Sequence, residues 1–257
     1  VISSVGEMTL SAQQDVSNTG HIVAGQGLTL TAPSLTQATG SVLAAQTGKL
    51  SLDLSGTDGL SNNGTIEAVD KDGAVTIVAQ AGDITNRGAL VAGQNMSLRA
   101  SGQILNTAQI GSLNGGLSLN ATSLVNENEI TAPGSVSAEL SKVLTNSGLI
   151  FSGIDLLASA GQEINNSQTL LQGGTIPKGL GAQNSLILNA PKIENIAAQI
   201  TSQNDKITLR TQNYVNDNGV LQAGTDVLIN TANLSNLNGR IIAVAGNTEL
   251  NNGQQTG

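Results

Sequence analysis

The sequence predicts an all-β protein, a right-handed parallel β-helix (a solenoid) of about eleven coils of about twenty residues each. A short motif, apolar–x–Asn, recurs along all 257 residues at a nearly constant spacing. An alternating apolar stretch such as "MSLRA" or "LSLNA" precedes most copies, and alternation with period two is typical of a strand with one buried face. Repeats of this length that pack only on their neighbours form solenoids, and parallel crossover connections are right-handed.

The Asn of the motif marks one position in each coil. Its spacing is twenty residues from Asn86 to Asn166, and it widens to 25, 24 and 29 residues elsewhere. Asn tolerates the left-handed conformation of tight corners, and stacked Asn side chains form hydrogen-bonded ladders. We therefore predict a structural corner ladder. Its members are Asn18, Gln37, Asn62, Asn86, Asn106, Asn126, Asn146, Asn166, Asn195, Asn216 and Asn236.

The repeats also align residue by residue, which predicts the stacking register. The predicted stacked pairs are Leu90 with Ile110, Met96 with Leu117, Leu98 with Leu119 and Asn106 with Asn126. After the Asn comes a second apolar pair, as in "HIVA" and "ALVA", so each coil contains about three short strands. A column of small residues is predicted beside one corner; it comprises Ala12, Ala32, Ala79, Ala100, Ala121, Ala158 and Ala190. No apolar stripe of helical period persists, which disfavours a helical protein.

We expect residues 1–257 to form a single β-helix rod segment cut from a longer array, because the chain begins at Val1 rather than Met and is periodic throughout. The largest departure from the repeat is "GGTIPKGLGAQN" at 173–184, whose Gly and Pro residues predict a loop excursion. Function on a solenoid often resides on such loops. The candidate binding loop is Thr175, Ile176, Pro177 and Lys178.

Composition disfavours several classes of partner. The formal net charge is −8 and only 11% of residues are charged, which disfavours nucleic acid and anionic membranes. No apolar run approaches the ~18 residues of a membrane span. Phe151 and Tyr214 are the only aromatic residues, and there is no cysteine. We therefore predict no cofactor, no membrane span and a fold that is stable without disulfides.

The few candidates for chemistry are isolated. His21 is the only histidine and is predicted to lie in a solvated turn. The "VDKDG" stretch, with Asp70 and Asp72, resembles part of a calcium loop but lacks the closing bidentate Glu. Glu127 and Glu129 share one turn, and a carboxylate pair can act on sugars. Because none of these belongs to a cluster, we predict no catalytic, cofactor-binding or metal-binding residues, and no enzyme.

The repeat pattern resembles a known class. The pattern "G-x-L-x-L-x-A…L-x-N-x-G-x-I-x-A-G" is clearest in "MTLSAQQDVSNTGHIVAGQ", "VTIVAQAGDITNRGALVAGQ" and "MSLRASGQILNTAQIGS". It resembles filamentous haemagglutinin repeats, which form the shafts of two-partner-secretion exoproteins, including adhesins and contact-dependent growth inhibition effectors. The resemblance covers nearly the whole chain. It implies an extracellular location at the bacterial cell surface, associated with the outer membrane, and an outer-membrane transporter as partner during export.

Three functions remain open at this stage. The leading hypothesis is a structural stalk that projects a binding or toxin domain away from the cell. The alternative is an adhesin segment that itself binds a receptor or glycan on a target cell, through the 173–184 excursion or an exposed ladder face. A polysaccharide-active β-helix enzyme is disfavoured, because such enzymes need clustered Asp, Lys or Arg in a groove.

Overall fold

The computed structural model describes residues 1–168 and 178–252. Its regular structure there is all β-strand, stacked as a parallel β-solenoid of about 11 turns of ~21 residues. The predicted all-β parallel solenoid is therefore confirmed. Contacts between residues divide the chain into two compact units, Val1–Gly134 and Ser135–Gly257.

The first unit consists of three strand positions per turn, each stacked on the same position of the next turn. Its strands are β1 (Ile2–Ser4), β2 (Met8–Ser11), β3 (Val16–Asn18), β4 (His21–Ala24), β5 (Leu28–Ala32), β6 (Leu35–Gln37), β7 (Val42–Ala45), β8 (Leu50–Leu54), β9 (Leu60–Asn62), β10 (Thr65–Ala68), β11 (Val75–Ala79), β12 (Ile84–Asn86), β13 (Ala89–Ala92), β14 (Met96–Ala100), β15 (Gln103–Asn106), β16 (Gln109–Ser112), β17 (Leu117–Asn126) and β18 (Glu129–Ala132). In β17 the first two strand positions of a turn merge into one strand, which pairs with both β14 and β15.

Parallel pairing in this unit follows the register predicted from the repeats. Met96 pairs with Leu117 and Leu98 with Leu119 between β14 and β17. Leu90 pairs with Ile110 between β13 and β16, and Asn106 pairs with Asn126 between β15 and β17. The register is fixed because a one-residue slip would turn every buried side chain outward.

The second unit repeats the same arrangement. Its described strands are β19 (Val136–Asn146), β20 (Leu149–Ser152), β21 (Leu156–Ala160), β22 (Glu163–Ser167), β23 (Gly179–Ala182), β24 (Leu186–Asn189), β25 (Lys192–Ile196), β26 (Gln199–Ser202), β27 (Ile207–Arg210), β28 (Asn213–Val215), β29 (Val220–Ala223), β30 (Val227–Asn230), β31 (Asn233–Ser235), β32 (Arg240–Ala243) and β33 (Thr248–Asn251). Three stacks result: β21-β24-β27-β30-β33, β22-β25-β28-β31 and β20-β23-β26-β29-β32.

The core of each unit consists of stacked aliphatic columns. In the first unit one column runs through Leu28, Leu50, Val75, Met96 and Leu117, each at most 3% exposed. Every full turn contributes buried Leu, Ile, Val or Ala in the same positions, so burial is repeated turn by turn rather than concentrated in one centre.

Two details of the sequence interpretation are corrected by the register. Ala158 does not belong to the small column, because it pairs with Leu188 in the middle of the strand; Ala160, which pairs with Leu140, lies at the strand end instead. Within the expected excursion at 173–184, Gly179–Ala182 form β23 and pair with β20 and β26, whereas residues 173–177 lie outside the described residues.

Glycine makes the entry into β23 possible. Gly179 has φ of +144°, and a Cβ there would lie 2.1 Å from the backbone oxygen of Gln199. Gly181 lies against the Phe151 ring, where a Cβ would be 2.9 Å from Cδ2. Gly179 and Gly181, two of the glycines that suggested a loop, therefore serve close packing in a strand.

Candidate functional site

The most regular polar feature of the first unit is a buried amide ladder. Asn62 Nδ2 donates to Asn86 Oδ1 at 2.8 Å, Asn86 to Asn106 at 2.9 Å, and Asn106 to Asn126 at 2.8 Å. All four side chains are 0% exposed. At its start Asn18 Nδ2 donates to Gln37 Oε1 at 2.7 Å, whereas Gln37 Nε2 donates to the backbone oxygen of Thr65 at 3.4 Å, so Gln37 interrupts the amide-to-amide bonding before Asn62.

The second amide hydrogen of these residues bonds to a backbone oxygen on the other side of the corner. Asn62 donates to the backbone oxygen of Ala89 at 3.2 Å, and Asn86 donates to that of Gln109 at 2.9 Å. These acceptors lie on the third strand position of the next turn. Each Asn thus links successive turns and also joins two strand positions within the solenoid, which satisfies its buried polar atoms.

The second unit has an equivalent ladder. Nδ2-to-Oδ1 bonds of 2.7–2.8 Å run from Asn146 to Asn166, Asn195, Asn216 and Asn236 in turn. The left-handed backbone expected for these corners is wrong. Among described non-glycine residues, positive φ occurs at Ala197, Asn218 and Asn238, which are not ladder residues. The ladder amides lie in or directly after extended strands, so Asn is required for its side-chain bonds rather than for a turn conformation.

Tyr214 joins this second ladder from the core. Its hydroxyl donates to Asn216 Oδ1 at 3.2 Å, and the side chain is 1% exposed. Burial raises the pKa of the Tyr214 phenol well above its ordinary value, since the charged form loses its hydration, and a hydrogen bond with Asn195 opposes this only in part. The phenol is therefore held neutral as a hydrogen-bond donor.

The candidate binding loop falls mostly outside the described residues. Thr175, Ile176 and Pro177 lie outside the described residues, whereas Lys178 is described and exposed, directly before β23. The candidate binding loop therefore stays a prediction.

The isolated titratable candidates are dispersed in the structure. His21 is exposed at the start of β4 rather than within a turn. Lys71 contacts Asp72 in an exposed turn, where the neighbouring carboxylate raises the pKa of the lysine. Glu127 lies in a turn while Glu129 belongs to β18. Among residues 1–168 and 178–252, no group of three or more His, Cys, Asp or Glu side chains could hold a metal ion.

Sequence reasoning missed an ion cluster on the outer face of β22 and β25. Lys192 Nζ lies 2.7 Å from Glu194 Oε1 and 3.0 Å from Glu163 Oε1. The hydrogen bonds that Lys192 donates to these carboxylates, above all the one to Glu194, raise the pKa of Lys192. The sequence could have predicted this cluster, because "EINN" and "KIEN" align when the twenty-nine-residue step is applied and Glu163 then stacks on Lys192.

Sequence reasoning also missed a polar groove in the second unit, which we call the amide groove. It has a volume of about 860 Å³ and lies where the β27-β30-β33 stack meets the β28-β31 stack. Residues 210–213, 230–233 and 250–252 line it. Arg210 is the only charged residue among these described lining residues.

Fold and polar columns together define a parallel β-solenoid with a buried amide ladder in each unit. Comparisons of the chain with protein-family models, with curated proteins and with solved structures return no match. In the described parts of the chain, no helix is long and apolar enough to cross a membrane.

Proposed function

We propose that this chain is a structural stalk of a secreted or cell-surface bacterial exoprotein, which holds a binding or toxin domain away from the cell. The observation that carries the proposal is the amide ladder. It repeats the same hydrogen bond from Asn62 to Asn126 in the first unit and from Asn146 to Asn236 in the second, within columns of aliphatic side chains. A structure of identical stacked turns provides length and stiffness from local interactions alone.

The energetic logic of such a stalk differs from that of a globular domain. Each turn is stabilised by contacts with the turns on either side, so stability increases with the number of turns without a growing central core. Each ladder bond contributes about 1 kcal/mol net, and an orphaned buried amide costs roughly 1–3 kcal/mol. Cumulative local bonding of this kind resists bending and local opening.

The finer assignment rests on the resemblance of the repeats to filamentous haemagglutinin repeats. On that basis we propose export by two-partner secretion through an outer-membrane transporter, and display at the outer surface of the cell. A chain without cysteine suits passage through a pore in an unfolded state, because no disulfide can form prematurely.

The test is a deletion that respects the repeat. Removal of residues 107–126 takes out twenty residues and joins Asn106 to Glu127, so every column stays in register. Each stack then shortens by about 4.8 Å. In the exoprotein that carries this chain, we expect normal export and normal delivery of the function of the projected domain.

The matched control removes only residues 107–117, which is a fraction of a turn. Apolar columns then meet polar ones at the junction and buried backbone groups lose partners. We expect a protease-sensitive break near Asn106, detected by limited proteolysis and mass spectrometry. A whole-turn deletion that folds and is exported but abolishes target binding contradicts the stalk proposal for this region.

A further inference from the structure

The amide groove offers hydrogen-bonding groups in two fixed rows. Asn230 and Asn251 are in register on one side, and Asn251 Nδ2 donates to Asn230 Oδ1 at 3.1 Å. Asn213 and Asn233 are in register on the other side, and Asn233 Nδ2 donates to Asn213 Oδ1 at 2.8 Å. Successive rungs are about 4.8 Å apart. These bonds hold the amides in place before any ligand arrives.

Each row retains unused hydrogen-bonding capacity. An Asn amide has two donor hydrogens and two acceptor lone pairs, and a ladder bond uses one hydrogen of its donor. Asn213, Asn233 and Asn251 are exposed, unlike the buried ladder on the inner side. The groove therefore presents alternating donors and acceptors at a constant interval along its length.

Backbone donors on the floor of the groove are already paired. The backbone N–H groups of Thr211 and Thr231 donate to the backbone oxygens of Asn230 and Asn251, at 2.9 and 3.1 Å. That of Asn233 donates to Gln212 at 3.0 Å. An added peptide strand therefore finds no free backbone N–H at Thr211, Thr231 or Asn233. Leu250 is the only large aliphatic residue among the described lining residues, which disfavours an apolar peptide.

Arg210 supplies a single positive charge to one row. Its Nη1 donates to Asn189 Oδ1 at 3.3 Å, and it forms no ion pair within the described chain. Guanidinium pairs with a carboxylate in two parallel hydrogen bonds. One cation suits an occasional carboxylate, whereas nucleic acid needs several cations along its phosphates.

We propose that the amide groove binds a linear acidic oligosaccharide, with a uronate carboxylate on Arg210 and sugar hydroxyl groups on the Asn230–Asn251 and Asn213–Asn233 pairs. Sugar hydroxyl groups both donate and accept, so they match amides that do both. The three rungs from Arg210 to Asn251 span roughly 10 Å, enough for two or three sugar rings. The volume of the groove lies in the range of ligand sites.

The test uses the whole chain and three defined probes, which are a galacturonate hexamer, a hexamer of alternating glucuronate and N-acetylglucosamine, and neutral maltohexaose. Isothermal titration calorimetry measures each affinity at moderate salt. We expect at least one acidic hexamer to bind about tenfold or more tightly than the neutral hexamer, which corresponds to one charge-assisted pair.

Variants locate the site. Arg210→Gln is expected to weaken acidic binding about tenfold and leave neutral binding unchanged. Arg99→Gln is the matched control, because Arg99 is exposed at the equivalent strand position of β14 in the first unit and lies outside the groove. Asn233→Ala should weaken every sugar that binds by a few fold. Circular dichroism melting curves verify that each variant is folded.

Three results overturn the proposal. The first is no detectable binding of either acidic hexamer at millimolar concentration. The second is an equal loss of acidic affinity in Arg210→Gln and Arg99→Gln. The third is displacement of the sugar by single-stranded DNA with a steep dependence on salt, which indicates a general polyanion surface.

Discussion

Replacement of Asn86 by Ala tests the amide ladder most directly. Asn86 is 0% exposed and occupies the middle of the first ladder. It accepts from Asn62 Nδ2 at 2.8 Å and donates to Asn106 Oδ1 and to the backbone oxygen of Gln109, both at 2.9 Å. Asn86→Ala removes all three bonds, so that Asn62 Nδ2, Asn106 Oδ1 and the backbone oxygen of Gln109 each lose a partner.

The expected loss is roughly 3 kcal/mol or more of unfolding free energy for the first unit, from three bonds at about 1 kcal/mol each. Part of the loss is offset, since Asn62 Nδ2 keeps its 3.2 Å bond to Ala89. The isosteric Asn86→Asp should cost more at neutral pH, because a buried carboxylate then faces the oxygens of Asn106 and Gln109. Its pKa would rise above the unfolded value of about 3.9, so the destabilisation should grow as pH increases through that value.

The assay is hydrogen–deuterium exchange with mass spectrometry, which reads the opening free energy of residues 84–110 separately from the second unit. Urea denaturation followed by circular dichroism gives the global value. Asn120→Ala is the matched control, because Asn120 is exposed on β17 in the same unit, and its change should stay within about 0.5 kcal/mol. Equal hydrogen-exchange protection of residues 84–110 in Asn86→Ala and Asn120→Ala would refute the claim that the amide ladder stabilises the first unit.

Two further predictions concern the core. Leu119→Asp places an unpaired charge in the column next to Leu98 and should lower the unfolding free energy by several kcal/mol. Lys178→Ala, at an exposed position, should change it by no more than about 0.5 kcal/mol. Similar denaturation midpoints for the two variants would contradict the register. Tyr214 keeps its proton in the folded state above the ordinary pKa of 10.0, while the unfolded chain loses it, so stability should fall above about pH 10 by up to ~1.4 kcal/mol per pH unit. Tyr214→Phe should remove this component from urea midpoints measured between about pH 9 and 11, and an unchanged pH dependence would argue against the buried phenol.

Strand stacking was predictable because it depends on periodicity alone. An alternating strand has one buried face, and a constant step between copies places equivalent residues in adjacent turns. The pairs Leu98–Leu119 and Asn106–Asn126 follow from these two facts. Where a turn contains fewer large residues the alignment was less certain, and Ala158 was placed two residues away from its true column.

The polar sites were harder to predict because they depend on how stacks meet in space. Burial of Asn86 contradicts the usual exposure of amides, and the sequence alone allowed a corner conformation as well as a ladder. The amide groove lies where two strand stacks meet, and periodicity does not specify how they meet. The sequence does show that Thr211-x-Asn213 recurs as Thr231-x-Asn233, but this recurrence does not indicate that the residues line a groove.

The ladder also accounts for the uniqueness of the register. Aliphatic columns alone would tolerate a slip of two residues, because Leu-x-Leu stacks on itself when shifted by one alternation. Such a slip between β12 and β15 would place Asn86 opposite Ile104 instead of Asn106, so that two buried amides would lose their partners. The penalty of roughly 1–3 kcal/mol for each orphaned amide selects the native alignment. A single buried Asn fixes register in coiled coils by the same argument, and here the selection is repeated at each Asn–Asn step of the two ladders.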